Sequence, residues 1–175
     1  MDTCPGVSDF QRHCQRLYIC YSLAVLGLQE QANKFSKLHP DLSKSLIVGT
    51  GRPEDGRWHG SMNIGEYLKA SQRSGSFPDT IGKSFLTTIY SSWDEYFRPQ
   101  IAEESGVDCK SVKSGLMGGL RKIRHCIVHK KSIITDEAER FEELSWELPP
   151  GHFQVTEEMF QGFIEQVNKM AIRIE

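Results

Sequence analysis

The sequence predicts an all-α fold, a bundle of four to five helices with one long loop excursion between the first two long helices. Apolar residues recur every three or four positions over four segments, which is the spacing of one buried helix face. Patterns typical of strands are scarce, and Leu46–Val48 reads either as a short strand or as a helix end. At 175 residues the chain is long enough for one domain with a core and short for two. The predicted core helices cover residues 8–38, 79–104, 108–131 and 156–173, and the excursion covers 40–78.

The composition, with 38% hydrophobic and 25% charged residues, is that of an ordinary globular protein. Because the net charge is −2, any affinity for nucleic acid has to come from a local basic patch, and residues 121–131 are the best candidate. The five cysteines form no CxxC pair and the first residues lack a signal-peptide pattern, so we expect reduced thiols and a cytoplasmic protein. The apolar run 17–28 is too short to span a bilayer, so we expect no membrane association.

The first helix and the excursion are bounded by local signals. Ser8 is the predicted N-cap, with Gln11 as its capping-box partner, and the helix ends just before Pro40. In the excursion, residues 49–60 are dense in glycine, proline and charge and predict an exposed loop. Residues 64–70 predict one or two helical turns. Loops with so little structure between them indicate a functional excursion from the core, not a second domain.

The second helix is aromatic along one face. Asp79 or Thr80 is its predicted N-cap, and apolar residues follow at spacings of three and four. Trp93, Tyr96 and Phe97 belong to this face, and we assign them to the core and not to a base-stacking platform. The proline two residues after Phe97 predicts a bend or an interruption.

The third helix, predicted to be capped by Asp108, carries two stripes. The apolar stripe should face the core and comprises Leu116, Leu120, Ile123 and Ile127. The other stripe is polar and comprises Arg121, His125 and His129, which are four residues apart. Arg124 lies between the stripes, and Lys130 and Lys131 follow where cations suit a helix C-terminus. The helix therefore presents imidazoles and guanidinium groups on its exposed side.

The C-terminal part is predicted to close the bundle. The acidic segment 136–147 is expected to be helical at first, and Pro149-Pro150-Gly151 to form a turn. Residues 152–155 should be extended. The last amphipathic helix, 156–173, begins at Thr156-Glu157-Glu158.

An arginine, a polar residue, three further residues and a histidine near a helix end are the mark of the HEPN superfamily. Here these positions are Arg124, His125 and His129, and the stretch resembles that family over about residues 80–172. The preceding helix, with the sequence SSWDEYFRP at 91–99, is similar to the aromatic helix of several bacterial HEPN groups. The chain departs from the family in having His125 where Asn or Asp is usual. The excursion has no evident counterpart there.

The resemblance implies a HEPN-like helical bundle that acts as a dimeric, metal-independent endoribonuclease without a cofactor, often within toxin–antitoxin or antiviral systems. RNA and an antitoxin or another defence protein are the implied partners. Histidine exchanges protons at neutral pH, and the arginine fork suits a phosphate. We assign proton transfer to His129, phosphate binding to Arg124, and the role of second imidazole or positioner to His125. A two-fold dimer would bring two such sets together. The RNA-contacting candidates are Arg121, Lys130 and Lys131.

Structural interpretations of the motif stand beside the functional one. Arg124 would pair with the acidic segment 136–147 instead of a substrate. His125 and His129 would be exposed cations, or would hold a metal, although Cys126 lies on another face and no other third ligand is evident. Cys126 itself reads as a small helix residue, not a nucleophile. The alternative function is a non-catalytic helical dimer that binds RNA, a nucleotide or a partner protein.

The family motif allows four to six residues between the arginine and the histidine, and this spacing alone carries little weight because the chain contains a second match. Arg52 and His59 are separated by six residues, yet they fall in the predicted loop with no helix to orient them. We interpret them, with Arg57 and Trp58, as exposed loop residues in preference to RNA contacts.

Overall fold

The computed structural model describes residues 4–52, 54–135, 144, 146 and 148–175, and it is mainly helical as predicted. Within these residues, short strands form three two-stranded antiparallel sheets, which pair β1 with β2, β3 with β6 and β4 with β5. The helices are α1 (Pro5–Leu38), α2 (Ile64–Ala70), α3 (Ser76–Ser92), a π-helical turn (Trp93–Phe97), α4 (Arg98–Ser105), a 3-10 turn (Cys109–Ser111), α5 (Gly115–His129) and α6 (Glu157–Asn168). The strands are β1 (Ser45–Thr50), β2 (Arg57–Asn63), β3 (Val112–Lys113), β4 (Ile133–Ile134), β5 (Gly151–His152) and β6 (Arg173–Ile174).

Helix α1 begins earlier than predicted. Pro5 is its first residue, because proline has no N–H to leave unpaired and its fixed φ suits the first turn. Ser8 therefore lies inside the helix, and the prediction that it is the N-cap is wrong. The helix ends at Leu38, where the predicted stop before Pro40 places it.

The prediction of a loop over all of 49–60 is wrong, because residues 49–50 belong to β1 and residues 57–60 to β2. Residues 57–60 belong to β2 and lie opposite Val48–Thr50 of β1, with a shift in register between Val48 and Gly49. A Cβ on Gly49 would lie 2.6 Å from the Arg57 carbonyl oxygen, so glycine is needed where the two strands approach. Gly49, which suggested a loop in the sequence, is thus a residue that the hairpin needs. Helix α2 follows directly, and the Asn63 side chain accepts a hydrogen bond from the Gly65 N–H at 2.8 Å.

Helix α3 begins at Ser76, three residues before the predicted caps Asp79 and Thr80, so that prediction is wrong. Asp79 is buried and serves a tertiary purpose. Its carboxylate accepts hydrogen bonds from Lys83 Nζ at 2.8 Å and from the backbone N–H of Val155 at 2.7 Å. The Asp79 side chain thereby fastens the extended C-terminal segment to α3.

The predicted interruption of the aromatic helix is the π-helical turn. The Arg98 N–H donates to the carbonyl of Trp93, five residues earlier, and the following Pro99 has no N–H to donate. Trp93 and Phe97 are buried against the ring of Phe10, as predicted. Tyr96 is 64% exposed, so its assignment to the core is wrong. The wide turn rotates Tyr96 away from the face that a regular helix would give it.

Helix α5 is shorter than predicted at its N-terminal end. Asp108 caps the 3-10 turn, while Ser114 caps α5 by accepting a hydrogen bond from the Met117 N–H at 3.4 Å. Leu116, Leu120 and Ile123 of the apolar stripe are buried, as predicted, and Ile127 packs at the margin of the same core.

The C-terminal helix α6 is capped by Thr156, as predicted, but ends at Asn168. The predicted end at 173 is wrong because Arg173–Ile174 pair with Val112–Lys113 as β6 and β3. The predicted helix in the acidic segment concerns residues 136–143, 145 and 147, which lie outside the described residues.

The helices pack around one cluster of buried residues that runs from Val7 to Val167. Helix α1 contacts α3, α4 and α6, and α5 packs mainly against α3. The exposed side of α5 is thereby held beside the carboxyl half of α3 and the π-helical turn. This pairing positions the candidate site.

Candidate functional site

The two motif histidines lie together at the C-terminal end of α5. The ring centroids of His125 and His129 are 4.9 Å apart, the rings are inclined by 43°, and both side chains are exposed. A four-residue separation on a helix produces this neighbourhood, as the sequence predicted. Two imidazoles at this distance can act on the same ligand.

The chain turns sharply after the histidines. Lys131 and Ser132 have φ values of 50° and 61°, a conformation that is uncommon for residues other than glycine. The backbone N–H of Ser132 donates to the Cys126 carbonyl at 2.9 Å, and the Phe153 N–H donates to the Ser132 carbonyl at 3.0 Å. The turn after α5 is therefore hydrogen-bonded both to the helix and to the C-terminal segment, and His129 is the last residue of this helix.

Arg124 faces a different side of α5. Its guanidinium carbon lies 5.6 Å from the ring centroid of Tyr90, in a cation–π arrangement. Its Nε is buried and has no hydrogen-bond partner among the described residues. Four residues lie between Arg124 and His129, so on a regular helix the two positions are about 140° apart around the axis. The two motif side chains therefore leave α5 on different sides.

A cleft of about 410 Å³ lies between α5 and the segment formed by α3 and the π-helical turn. Its lining by described residues is strongly basic, with three guanidinium groups and one carboxylate, and we call it the arginine groove. Arg98 is held in place by hydrogen bonds from its Nε to the Val112 carbonyl at 3.0 Å and from its Nη1 to Asp94 at 3.4 Å. The residues of the groove are Tyr90, Asp94, Arg98, Arg121 and Arg124.

The groove continues toward the amino-terminal end of α5. A second pocket of about 170 Å³ shares Tyr90, Asp94, Arg98 and Arg121 with it. This pocket adds the first turn of α5 and the strand before it to the lining. Its further residues are Trp93, Val112, Lys113, Ser114, Met117 and Gly118.

The Tyr90 hydroxyl is a neutral group at physiological pH. Burial raises the pKa of Tyr90, and the Asp94 carboxylate raises it further. The positive charges of Arg121, Arg124 and Arg98 act in the opposite direction but do not cancel this shift. The phenol is therefore available as a hydrogen-bond donor at the floor of a cationic groove.

The remaining predicted residues are placed as follows. Arg121 belongs to the polar stripe that contains His125 and His129, and it also lines the arginine groove. Lys130 and Lys131 are exposed just beyond His129. Cys126 is buried, in agreement with its interpretation as a small helix residue. The alternative loop residues Arg52, Arg57, Trp58 and His59 are exposed on the β1–β2 hairpin and its turn.

Two of the structural interpretations give the motif residues other partners, namely the acidic segment for Arg124 and a metal ion for the histidines. The acidic segment offered as a partner for Arg124 falls mostly on residues outside those described, so this pairing stays untested. Within the described ranges, no group of three His, Cys, Asp or Glu side chains is arranged to hold a metal ion.

Sequence reasoning missed Tyr90, Asp94 and Arg98 as site residues. Their spacing of four residues places them on one side of the second predicted helix and its bend, but no motif marks them as site residues. Their common role depends on the packing of α3 against α5, which no local pattern encodes.

Comparisons of the chain with models of protein families, with curated proteins and with solved structures gave no significant match. The resemblance to HEPN proteins therefore stays a prediction that depends on the motif and its setting. Across the described part of the chain, no helix combines the length and the apolar character needed to cross a membrane.

Proposed function

We propose that this protein is a metal-independent endoribonuclease of the HEPN type that cleaves single-stranded RNA. The observation that carries the proposal is the pair of imidazoles, 4.9 Å apart at the C-terminal end of α5, on the helix stripe that also contains Arg121 of the arginine groove. The proposed setting is cytoplasmic toxin–antitoxin or antiviral defence, with an antitoxin or another defence protein as partner.

The proposed chemistry is an internal transfer. A base removes the proton from a ribose 2′-OH, the oxygen attacks the adjacent phosphorus, and the bond from phosphorus to the 5′-oxygen breaks. An acid gives a proton to the departing 5′-oxygen, so the products are a 2′,3′-cyclic phosphate and a 5′-hydroxyl. Histidine suits both proton transfers near neutral pH, and each positioned group contributes roughly 10²–10⁴-fold. His129 is the assigned proton-transfer residue, with His125 as second imidazole or positioner.

The direction of Arg124 supports a dimeric site. Because Arg124 and His129 leave α5 on different sides and Arg124 packs on Tyr90, a site that joins the two suits two subunits better than one. A two-fold dimer would set Arg124 of one subunit beside the partner subunit's His129, and would do so twice. We therefore propose a homodimer whose composite sites each use both chains.

A labelled single-stranded RNA incubated with the protein in excess EDTA tests the proposal. We expect cleavage that leaves cyclic-phosphate ends and that falls at least 100-fold in His129→Ala and in Arg124→Ala. His39→Ala, which removes an exposed histidine at the end of α1, is the matched control and should cleave at the wild-type rate. An RNA with one 2′-deoxyribose at the cut should resist cleavage there.

The second candidate is a non-catalytic dimer that binds RNA, a nucleotide or a partner protein. The packing of Arg124 on Tyr90, away from the histidines, favours this function. RNA that is bound but not cut by a folded, dimeric protein would establish it in place of the nuclease.

A further inference from the structure

We infer that the arginine groove binds the sugar–phosphate backbone of the RNA strand next to the cleaved bond, independently of base sequence. This inference rests on the proposed function for its substrate class and goes beyond it in assigning Arg98, Tyr90 and the first turn of α5 to the substrate path.

The charges of the groove match a chain of phosphates. Arg98, Arg121 and Arg124 surround the cleft with one opposing carboxylate, Asp94, which already contacts Arg98. Guanidinium groups bind phosphate oxygens through paired N–H donors. Three such groups around one cleft therefore suit an anion.

The shape of the groove indicates an extended ligand. Ser114 and Arg124 lie at its two ends, ten residues apart, which is about 15 Å along a helix axis. A single phosphate group is much smaller than that distance. A polyphosphate backbone, whose charges repeat along its length, fits such a track better than an isolated anion.

The groove offers little to distinguish one base from another. One face of the Tyr90 ring is occupied by the Arg124 guanidinium, and Trp93 is almost fully buried. The described lining therefore offers an RNA strand mainly cationic groups. The donors that remain point to phosphate contacts, which carry no sequence information.

Gly118 provides a test that leaves the arginines untouched. It lines the second pocket, which continues the arginine groove along α5, and a Cβ added to it would meet no heavy atom of the described residues within 4 Å. Gly118→Glu therefore adds a negative charge beside the arginines at a position with room for its Cβ, and it improves helix propensity. Gly118→Gln adds the same bulk without the charge. Gly162→Glu makes the same change on α6, where a Cβ also meets no heavy atom of the described residues within 4 Å.

The experiment measures the affinity of a fluorescent single-stranded RNA by anisotropy, in the His129→Ala background so that no cleavage occurs. We expect Gly118→Glu to weaken binding at least tenfold and to flatten the salt dependence, with equal effects on oligo(A) and oligo(U). Gly118→Gln should weaken binding far less, and Gly162→Glu should bind as the background protein does.

The outcomes separate this inference from the proposed function. RNA binding that Gly118→Glu weakens no more than Gly118→Gln does would overturn the groove as the backbone track, even where wild-type protein cleaves RNA. Charge-sensitive binding by a protein that cuts no RNA would support the groove and contradict the nuclease. A folded protein that binds no RNA at low salt would overturn both.

Discussion

The guanidinium of Arg124 packs on the ring of Tyr90, with 5.6 Å between the guanidinium carbon and the ring centroid. The two residues come from neighbouring helices, α5 and α3, so the contact is a product of the fold and not of the motif. A cation–π contact leaves the N–H donors of an arginine free, since it uses the face of the group. Tyr90 is accordingly a positioning residue that aims the motif arginine into the arginine groove.

Replacement of Tyr90 tests this positioning. Tyr90→Phe keeps the aromatic face and should retain RNA affinity within about twofold, whereas Tyr90→Leu should lose roughly 2–30-fold, the equivalent of a cation–π contact of about 0.5–2 kcal/mol. Anisotropy titrations at constant salt measure both variants. Equal losses in the Phe and Leu variants would show that the hydroxyl, not the ring, matters.

The buried pair of Asp79 and Lys83 should contribute strongly to stability. Lys83 Nζ donates to Asp79 at 2.8 Å and to the Phe153 carbonyl at 2.9 Å, while Asp79 also holds Val155. We expect Asp79→Ala to lower the free energy of unfolding by about 3–5 kcal/mol, because it leaves a buried ammonium unpaired. Urea denaturation measures the effect.

A surface pair supplies the comparison. Arg12 and Asp9 lie 3.1 Å apart with both side chains largely exposed, and Arg12→Ala should change the free energy of unfolding by less than about 1 kcal/mol. A similar small change for Asp79→Ala would contradict the role of Asp79 in fastening the C-terminal segment.

Neighbouring aromatic residues at the π-helical turn should differ in their contributions to stability. Phe97 is buried against Phe10, and Phe97→Ala should cost about 3–5 kcal/mol. Tyr96 is exposed, and Tyr96→Ala should stay within about 1 kcal/mol of the wild type. Thermal or urea unfolding distinguishes the two. A large loss for Tyr96→Ala would contradict its exposed position and support the place in the core that the sequence predicted.

His13 should make stability depend on mild acidification. Burial lowers its pKa below the ordinary value of 6.5, and the charge of Arg16 lowers it further. The folded state thus binds this proton less readily than the unfolded chain, so stability is complete above pH 6.5 and declines as pH falls toward the folded-state pKa. The decline between pH 6.5 and 5 should be smaller in His13→Gln. Denaturant titrations across this range test it, and parallel curves for both proteins would refute it.

The sequence predicted most of the helical fold because periodic apolar residues and caps are local signals. Leu116, Leu120 and Ile123 fall in the core where their spacing placed them, and Thr156 caps α6 as expected. The β1–β2 hairpin was missed because Gly49 and its neighbours resemble loop residues until a partner strand is present. Tyr96 was misplaced because the π-helical turn changes the helical period within a few residues.

The candidate site was predictable only in part. His125 and His129 meet on one helix, so their spacing alone brought them together. The arginine groove combines α5 with α3 and the π-helical turn, and its residues are far apart in sequence. Asp79 shows the same limit, because the sequence predicts that it caps a helix whereas it forms a buried ion pair with Lys83. Contacts between distant elements are the part that local patterns do not contain.

The most direct test of the account mixes two inactive variants. Arg124→Ala and His129→Ala are each assayed for RNA cleavage in EDTA, and then again after the two proteins have been unfolded together and refolded at equal amounts. If each site joins Arg124 of one subunit to the partner subunit's His129, half of the dimers are mixed and each has one intact site, so about a quarter of the wild-type rate should return. A mixture that stays as inactive as its components, although mixed dimers form, would contradict the shared site.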